Sequence, residues 1–246
     1  MPISACIRNV DNLRDQPACT SCNKCARLNF NVHQPASLVC EHRNQLADML
    51  PNGRQSPVKL TINKLRTPEG LASMVGRKFE CDSASVMEFL NSPDSMKKFG
   101  LNTYTWMTMI FPDSYTYFWN STAGTIMKKF HDHSEKIWNE ERRAQAKRLG
   151  LTPVDAYILA SIVEEETNAR DEKGNIASVY LNRYRKGMRL QADPTVRYAL
   201  RDFNLKQILF VHLDVESPYN TYRNKGLPPG PICTPSLETL DAVLQS

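Results

Sequence analysis

Thr152-Pro153-Val154-Asp155-Ala156-Tyr157-Ile158-Leu159-Ala160-Ser161-Ile162-Val163-Glu164-Glu165-Glu166-Thr167 is the stretch from which the rest of the chain is read. It opens with a threonine, a proline and an aspartate three places on. That is a helix start: a capping side chain, a residue that needs no N–H in the first turn, and an acid that reaches back to the cap. The spacing predicts a helix over about 152–168. Its far end carries three successive carboxylates, where the helix dipole disfavours negative charge. Neighbouring like charges also repel, so the run costs stability unless something offsets it. At about 100° per residue the three fan over about 200° and cannot share one environment. With Val154 as origin, Ile158, Leu159, Ile162 and Val163 span an apolar arc from about 40° to 180°. Glu166 falls at about 120°, inside that arc; Glu164 at about 280°, beside Tyr157, Ala160 and Ser161; Glu165 near 20°, on the margin. A glutamate among apolar neighbours has its pKa raised above the ordinary value of about 4.3. A carboxyl that keeps its proton near neutral pH is what a general acid needs. The competing reading has Glu166 paired with a nearby Arg or Lys and holding only the fold.

Downstream, Asp171-Glu172-Lys173-Gly174-Asn175 reads as a polar turn. A helix is expected over about 176–186, with Ile176, Tyr180 and Tyr184 on one stripe, Ala177 and Leu181 beside it, and Gly187 as its stop. The chain then becomes loop-rich, with a helix start at Asp193-Pro194-Thr195 and a short last helix from Ser236. Upstream, one long charged helix is expected over about 125–149, its apolar residues Ile126, Phe130, Ile137 and Trp138 facing inward and Gly150 ending it. Glu140-Glu141-Arg142-Arg143 and Lys147-Arg148 read as its solvated face. Residues 104–118 are rich in aromatic and β-branched types, with Pro112-Asp113-Ser114 as a turn. Val58-Lys59-Leu60-Thr61-Ile62 alternates as a half-buried strand does. Thr67-Pro68 begins a helix carrying Leu71, Met74, Val75 and Phe79, and Ser83 caps another carrying Val86, Phe89 and Leu90. This strand–helix–helix unit is a small α/β module, and the whole chain reads as α+β.

The chain has 246 residues, room for one large domain or two small ones. Its net charge of +5 is too mild to argue for nucleic acid and suits a surface that meets anionic polymers. With 41% apolar and 23% charged residues, a packed core is expected and wholesale disorder is excluded. No run approaches the roughly 18–20 apolar residues of a membrane span. Nor does a basic-then-apolar secretory pattern follow Met1.

Residues 1–50 are irregular and hold five of the seven cysteines: Cys6, Cys19, Cys22, Cys25 and Cys40. Only Cys81 and Cys233 lie beyond, so no disulfide framework carries the fold. Cys19-Thr-Ser-Cys22-Asn-Lys-Cys25 has metal-ligand spacing. An iron–sulfur run would want a fourth cysteine where Asn29 stands, and a zinc site would borrow His33 or Cys40. The segment shows no periodicity, so it is read as a leader with free thiols. A metal-binding regulator using Cys19, Cys22 and Cys25 is the weaker reading.

Several segments together resemble the bacterial endolytic murein transglycosylases of the YceG-like family. They are Phe111-Pro-Asp-Ser-Tyr115, Leu159-Ala-Ser-Ile-Val-Glu-Glu-Glu-Thr167, Ile176-Ala-Ser-Val-Tyr-Leu-Asn-Arg183, Gly187-Met-Arg-Leu-Gln-Ala-Asp-Pro-Thr-Val196, Ser217-Pro-Tyr-Asn-Thr-Tyr222 and Gly226-Leu-Pro-Pro-Gly-Pro-Ile232. Each is weak alone; their order and spacing make the match. The likeness continues more loosely from about Asn52 and leaves out residues 1–45. It implies three parts: an irregular leader over 1–51, a LysM-like module over 52–103 and a mixed helical/β catalytic domain over 104–246. It reads the chain as a divergent or truncated member, one that lacks the family's membrane anchor and its usual C-terminal segment.

The resemblance implies cleavage of peptidoglycan glycan strands between N-acetylmuramic acid and N-acetylglucosamine, leaving 1,6-anhydro-muramyl ends. A hydrolase usually needs two carboxylates; here the sugar's own C6 hydroxyl attacks, and one glutamate serves as acid and then base. That glutamate falls on Glu166, and the resemblance implies no metal or organic cofactor. Glu164 supports the site or orients a partner. Gln191 would hold a sugar hydroxyl or acetamido group. Asp193 would face the cleft or, equally, cap the helix after Pro194. Tyr219, Asn220 and Tyr222 suit a glycan subsite, the rings covering sugar C–H surface and Asn220 bonding acetamido groups. Pro228-Pro229-Gly230-Pro231 is stiff and would form a cleft wall. Arg183 would neutralise the acidic cluster or bind peptide carboxylates. The partners implied are glycan strands and cell-wall synthesis proteins, with no nucleic acid, at the inner membrane facing the periplasm. The alternative is a catalytically inactive peptidoglycan-binding or scaffold protein of the same machinery.

Overall fold

The structure is a computed structural model that describes residues 57–205 and 207–246. The cysteine run, His33 and Cys40 lie outside the described residues. Strand β1 (Pro57–Ile62) turns Leu60 and Ile62 inward and Lys59 and Thr61 outward, as its alternation requires. It pairs antiparallel with β2 (Asp113–Phe118), Leu60 opposite Tyr115 and Val58 opposite Tyr117. Between them lie α1 (Pro68–Lys78), α2 (Ser83–Asn91), α3 (Pro93–Lys97) and a single 3-10 turn at Trp106–Met109. Thr67 caps α1 as expected, accepting from the Gly70 N–H at 3.2 Å. The cap of α2 is Asp82 rather than Ser83, its carboxylate accepting from Ser85 N–H at 2.7 Å. Pro112-Asp113-Ser114 makes no turn of its own; the chain enters β2 at Asp113.

Helices α4 (Ala123–Ile137) and α5 (Glu140–Leu149) replace the single helix expected over 125–149. The break has a physical reason. Ile137 and Trp138 are both buried in the second core, and a straight helix would carry its next turn away from it. Asn139 then restarts the helix by accepting from Arg142 N–H at 2.9 Å. Gly150 ends α5 at φ 76°, a conformation a side chain would strain.

Helix α6 (Pro153–Glu166) begins with the reciprocal Thr152–Asp155 cap read from the sequence. The apolar arc does not survive. Ala156 through Val163 are all buried, so the middle of the helix is enclosed on every side and only its first and last turns reach solvent. Around it pack α7 (Arg170–Arg185), α8 (Asp193–Leu200) and α10 (Leu237–Leu244), with the short α9 (Phe210–Leu213) touching α8. Helix α7 starts at Arg170, so residues 171–175 are helical instead of a turn. Asp171 and Glu172 sit where the dipole favours acids, and Lys173 is drawn inward by partners described below.

Two adjoining cores result. One gathers Leu60, Ile62, Leu71, Val75, Val86, Leu90 and Phe130; the other gathers Phe111, Trp138, Tyr157, Leu159, Ile162, Leu181 and Leu240. Residues 55–246 form one compact unit, and no strand follows Phe118 among the described residues. The architecture is α+β, mostly helical.

The proline-rich stretch runs beside α6. Ile232 N–H donates to Ser161 Oγ at 3.1 Å, and Thr234 exchanges two hydrogen bonds with Leu65, each 2.9 Å. Gly230 is held where a methyl group would stand 2.1 Å from the Tyr104 carbonyl oxygen and 3.0 Å from the Tyr219 hydroxyl. Gly230→Ala should therefore push backbone against backbone and lower stability by about 1–3 kcal/mol, read as a shifted urea midpoint. An unchanged midpoint would mean that the wall yields freely.

Candidate active site

The last turn of α6 sends its three carboxylates to three different surroundings, as the fan predicts. Glu164 turns inward. Its Oε2 accepts from Lys173 Nζ at 3.2 Å, from Ser236 Oγ at 2.9 Å and N–H at 3.3 Å, and from the Thr239 hydroxyl. Burial pushes this carboxyl up, but the Thr239 and Ser236 donors and the Lys173 charge outweigh it, leaving the pKa below its ordinary value. Glu165 turns toward the β1–α1 loop. Arg66 grips it with Nε at 2.8 Å and Nη2 at 3.1 Å, and Lys64 Nζ lies 3.0 Å away. Burial again pushes upward, and the Arg66 fork and Lys64 reverse it.

Glu166 differs. It is the most open of the three, and the Tyr180 hydroxyl donates to its Oε2 at 3.1 Å. Partial burial of the carboxyl pushes its pKa up; Tyr180 pulls it back, the charge of Asp193 pushes it up again and Arg197 lowers it. The net result lies above the ordinary value, opposite to both neighbours. The expected direction is met by a different cause: the walls of α7 and α8, not an apolar stripe on α6.

Of the residues singled out from sequence, those walls contain Arg183 and Asp193; Gln191 immediately precedes α8, and Tyr219, Asn220 and Tyr222 lie on the loop after α9. Asp193 is the first residue of α8 rather than its cap, and Tyr222 donates its hydroxyl to Asp193 Oδ1 at 2.5 Å. Burial, this bond and the Asp193 charge push the Tyr222 phenol up to about 12. Gln191 stands exposed just before α8 with φ 55°, its backbone N–H donating to the Thr221 carbonyl at 3.2 Å. Tyr219 packs its ring against Tyr198 at 4.7 Å between centroids. Asn220 is fully buried. Its amide donates to the Leu213 and Val215 carbonyls, both at 2.8 Å, and its Oδ1 accepts from Tyr222 N–H at 3.0 Å. Both amide hydrogens are engaged, so the expected acetamido contact gives way to a role in shaping the loop that carries Tyr219 and Tyr222. Arg183 donates to the Leu190 carbonyl, and its charge bears on the Tyr180 and Tyr222 phenols rather than on the glutamate run. A cavity of ≈ 120 Å³ opens beside Glu165, lined by Arg66, Pro194, Arg197, Tyr198, Phe203 and Ile232.

Tyr180, Lys173, Arg66 and Lys64 were not among the expected site residues. Only Tyr180 left a signal: a hydroxyl, like that of Tyr184, on the inward stripe of a helix. The other three join the glutamates across contacts that local periodicity does not encode.

Fold and site together define an α+β protein with one carboxyl at a helix end whose pKa is raised above its ordinary value; no group of three metal-ligating side chains converges among the described residues. The chain belongs to the YceG-like family, which it matches over residues 40–246. The match begins upstream of Asn52, where the sequence reading had placed it. The chain is 33% identical over 135 residues to the endolytic murein transglycosylase of Bacillus subtilis (strain 168), covering 55% of this chain and 37% of that one. It is 27% identical over 162 residues to the endolytic murein transglycosylase of Streptococcus pneumoniae serotype 2 (strain D39), covering 64% and 28%. The chain thus spans about a third of the length of these curated relatives. The crystal structure of a YceG-like protein from Listeria monocytogenes superposes with a TM-score of 0.66 at 28% identity, covering 82% of this chain and 71% of that one. No helix among the described residues is long and apolar enough to cross a membrane; the inner-membrane placement rests on the resemblance alone.

Proposed function

We propose that this protein is a lytic transglycosylase of the cell envelope that cuts within peptidoglycan glycan strands, with Glu166 as its single acid/base. The observation that carries this reading is the opposite electrostatics of three adjacent glutamates: Glu164 and Glu165 are held below the ordinary carboxylate range, and Glu166 above it. In the first half of the reaction the Glu166 proton passes to the glycosidic oxygen as the bond to muramyl C1 breaks. In the second half the C6 hydroxyl bonds to C1 and its proton returns to Glu166. No water is consumed, and the carboxyl ends as it began. The raised pKa suits both halves, because a strong acid would not hold the proton and a strong base would not release it. Asp193, Gln191, Tyr219 and Tyr222 border the glycan path, and Glu164 anchors the helix end that presents Glu166. We keep 52–103 as a LysM-like module leading into a catalytic region over 104–246. The β1–α1–α2 order supports a module there; β2 and Phe130, which share its sheet and core, carry that module past residue 103.

The test is incubation of the purified protein with sacculi, followed by analysis of the new chain ends. The expected ends are 1,6-anhydro-muramyl. Ordinary reducing ends would make the protein a hydrolase. Binding to sacculi without any new ends would favour the inactive scaffold.

A further inference from the structure

A glutamate at the open end of a helix samples several rotamers, and both of its oxygens can take the proton. Glu166 is in that position. Tyr180, by contrast, is buried to its ring on α7, and packing fixes where its hydroxyl points. That hydroxyl meets one oxygen only, Oε2, at 3.1 Å. We propose that Tyr180 is a positioning residue for Glu166, which pins Oε2 and leaves Oε1 as the oxygen that exchanges the proton with the sugar. The inference rests on the proposed acid/base role of Glu166 and deepens it.

The groups facing the Glu166 carboxyl come from three elements. Helix α7 supplies Tyr180, with Arg183 beside that phenol; α8 supplies Asp193 and Arg197; the loop after α9 supplies Tyr222, bonded to Asp193. Glu164 and Glu165 turn to other partners. Tyr180 donates, so it favours the charged carboxylate. Asp193 carries like charge, so it favours the protonated form. The two therefore oppose each other, and removing them must shift Glu166 in opposite directions. A residue that only filled space on α7 would produce no such pair of signs.

The experiment compares Tyr180→Phe, which removes one oxygen and keeps the ring, with Asp193→Asn. Glu166 is followed by the 13C signal of its γ-carboxyl, assigned by its loss in Glu166→Gln. In Tyr180→Phe the titration midpoint should move to higher pH, and in Asp193→Asn to lower pH. On sacculi, kcat of Tyr180→Phe should fall about tenfold with KM little changed, and the alkaline limb of its pH profile should move up. A Tyr180→Phe midpoint that stays in place or moves to lower pH overturns the proposal. The titration needs no turnover, so it separates the two ideas. Opposite shifts without any anhydro ends would sink the proposed function and keep the positioning contact. Anhydro ends with an unmoved midpoint would do the reverse.

Discussion

Lys173→Met is expected to lower the unfolding free energy by about 3–5 kcal/mol. Lys173 is 5% exposed, and its ammonium donates to Glu164 Oε2 at 3.2 Å and to Thr239 Oγ1 at 2.6 Å. Glu164 in turn receives Ser236 and Thr239, at the start of α10. One ion pair therefore joins the end of α6, the second turn of α7 and the cap of α10. Methionine fills the lysine's path but leaves a half-buried carboxylate with its Ser236 and Thr239 donors and no counter-charge, and the loss comes from that uncompensated charge more than from the missing attraction. A second substitution separates the two. Adding Glu164→Leu to Lys173→Met removes the orphan, so the double variant should recover part of the loss in urea melts. A double variant as unstable as the sum of the singles would refute the orphan-charge account. Acid acts on Glu164 and on its neighbour Glu165. The Glu164 and Glu165 pKa values lie below the unfolded value of 4.5, so both contribute stability above that value. They lose it as pH falls through their depressed folded values. Acid unfolding should therefore set in below about pH 4.5 and begin earlier in Glu165→Gln, which has already given up the Arg66 fork.

The sequence was most legible where local chemistry decides. The Thr152–Asp155 cap, the Gly150 stop and the β1 alternation depend on residues within a few places of one another, and all were read correctly. So was the divergence of the three glutamates, because helical geometry alone forces it. The readings that needed revision depended on distant partners. The helix over 125–149 breaks because Trp138 is claimed by a core built from α6 and α10. The first turns of α7 read as a loop because nothing near Lys173 announces a carboxylate on another helix. Asn220 looked like a sugar ligand because its type and neighbourhood suit one; only the loop's path shows its amide engaged by Leu213 and Val215. The apolar arc on α6 gave the right direction for Glu166 on the wrong grounds. A helix buried all round through its middle has no arc, and the groups that act on the Glu166 carboxyl come from α7 and α8.

Glu166→Gln is expected to reduce formation of anhydro ends by about 10²–10⁴-fold or more, with a Tm unchanged or higher at neutral pH. Both halves of that outcome follow from one fact. The folded pKa of Glu166 is raised, so the folded state resists its ionisation. As pH climbs past the unfolded carboxylate value, that resistance becomes a cost to stability, full once pH exceeds the folded value. Glutamine keeps the shape, can accept from Tyr180 as before, and carries no charge beside Asp193 or at the helix C-terminus. It also has no proton to give the leaving oxygen and none to take from the C6 hydroxyl. Loss of turnover with a retained or improved melting point marks a residue kept for chemistry at the expense of the fold. Glu164→Gln should behave the other way, lowering Tm first and turnover only through the displaced helix end. If Glu166→Gln melts well below the parent protein, Glu166 is a structural glutamate like its neighbours, and the acid/base assignment fails with it.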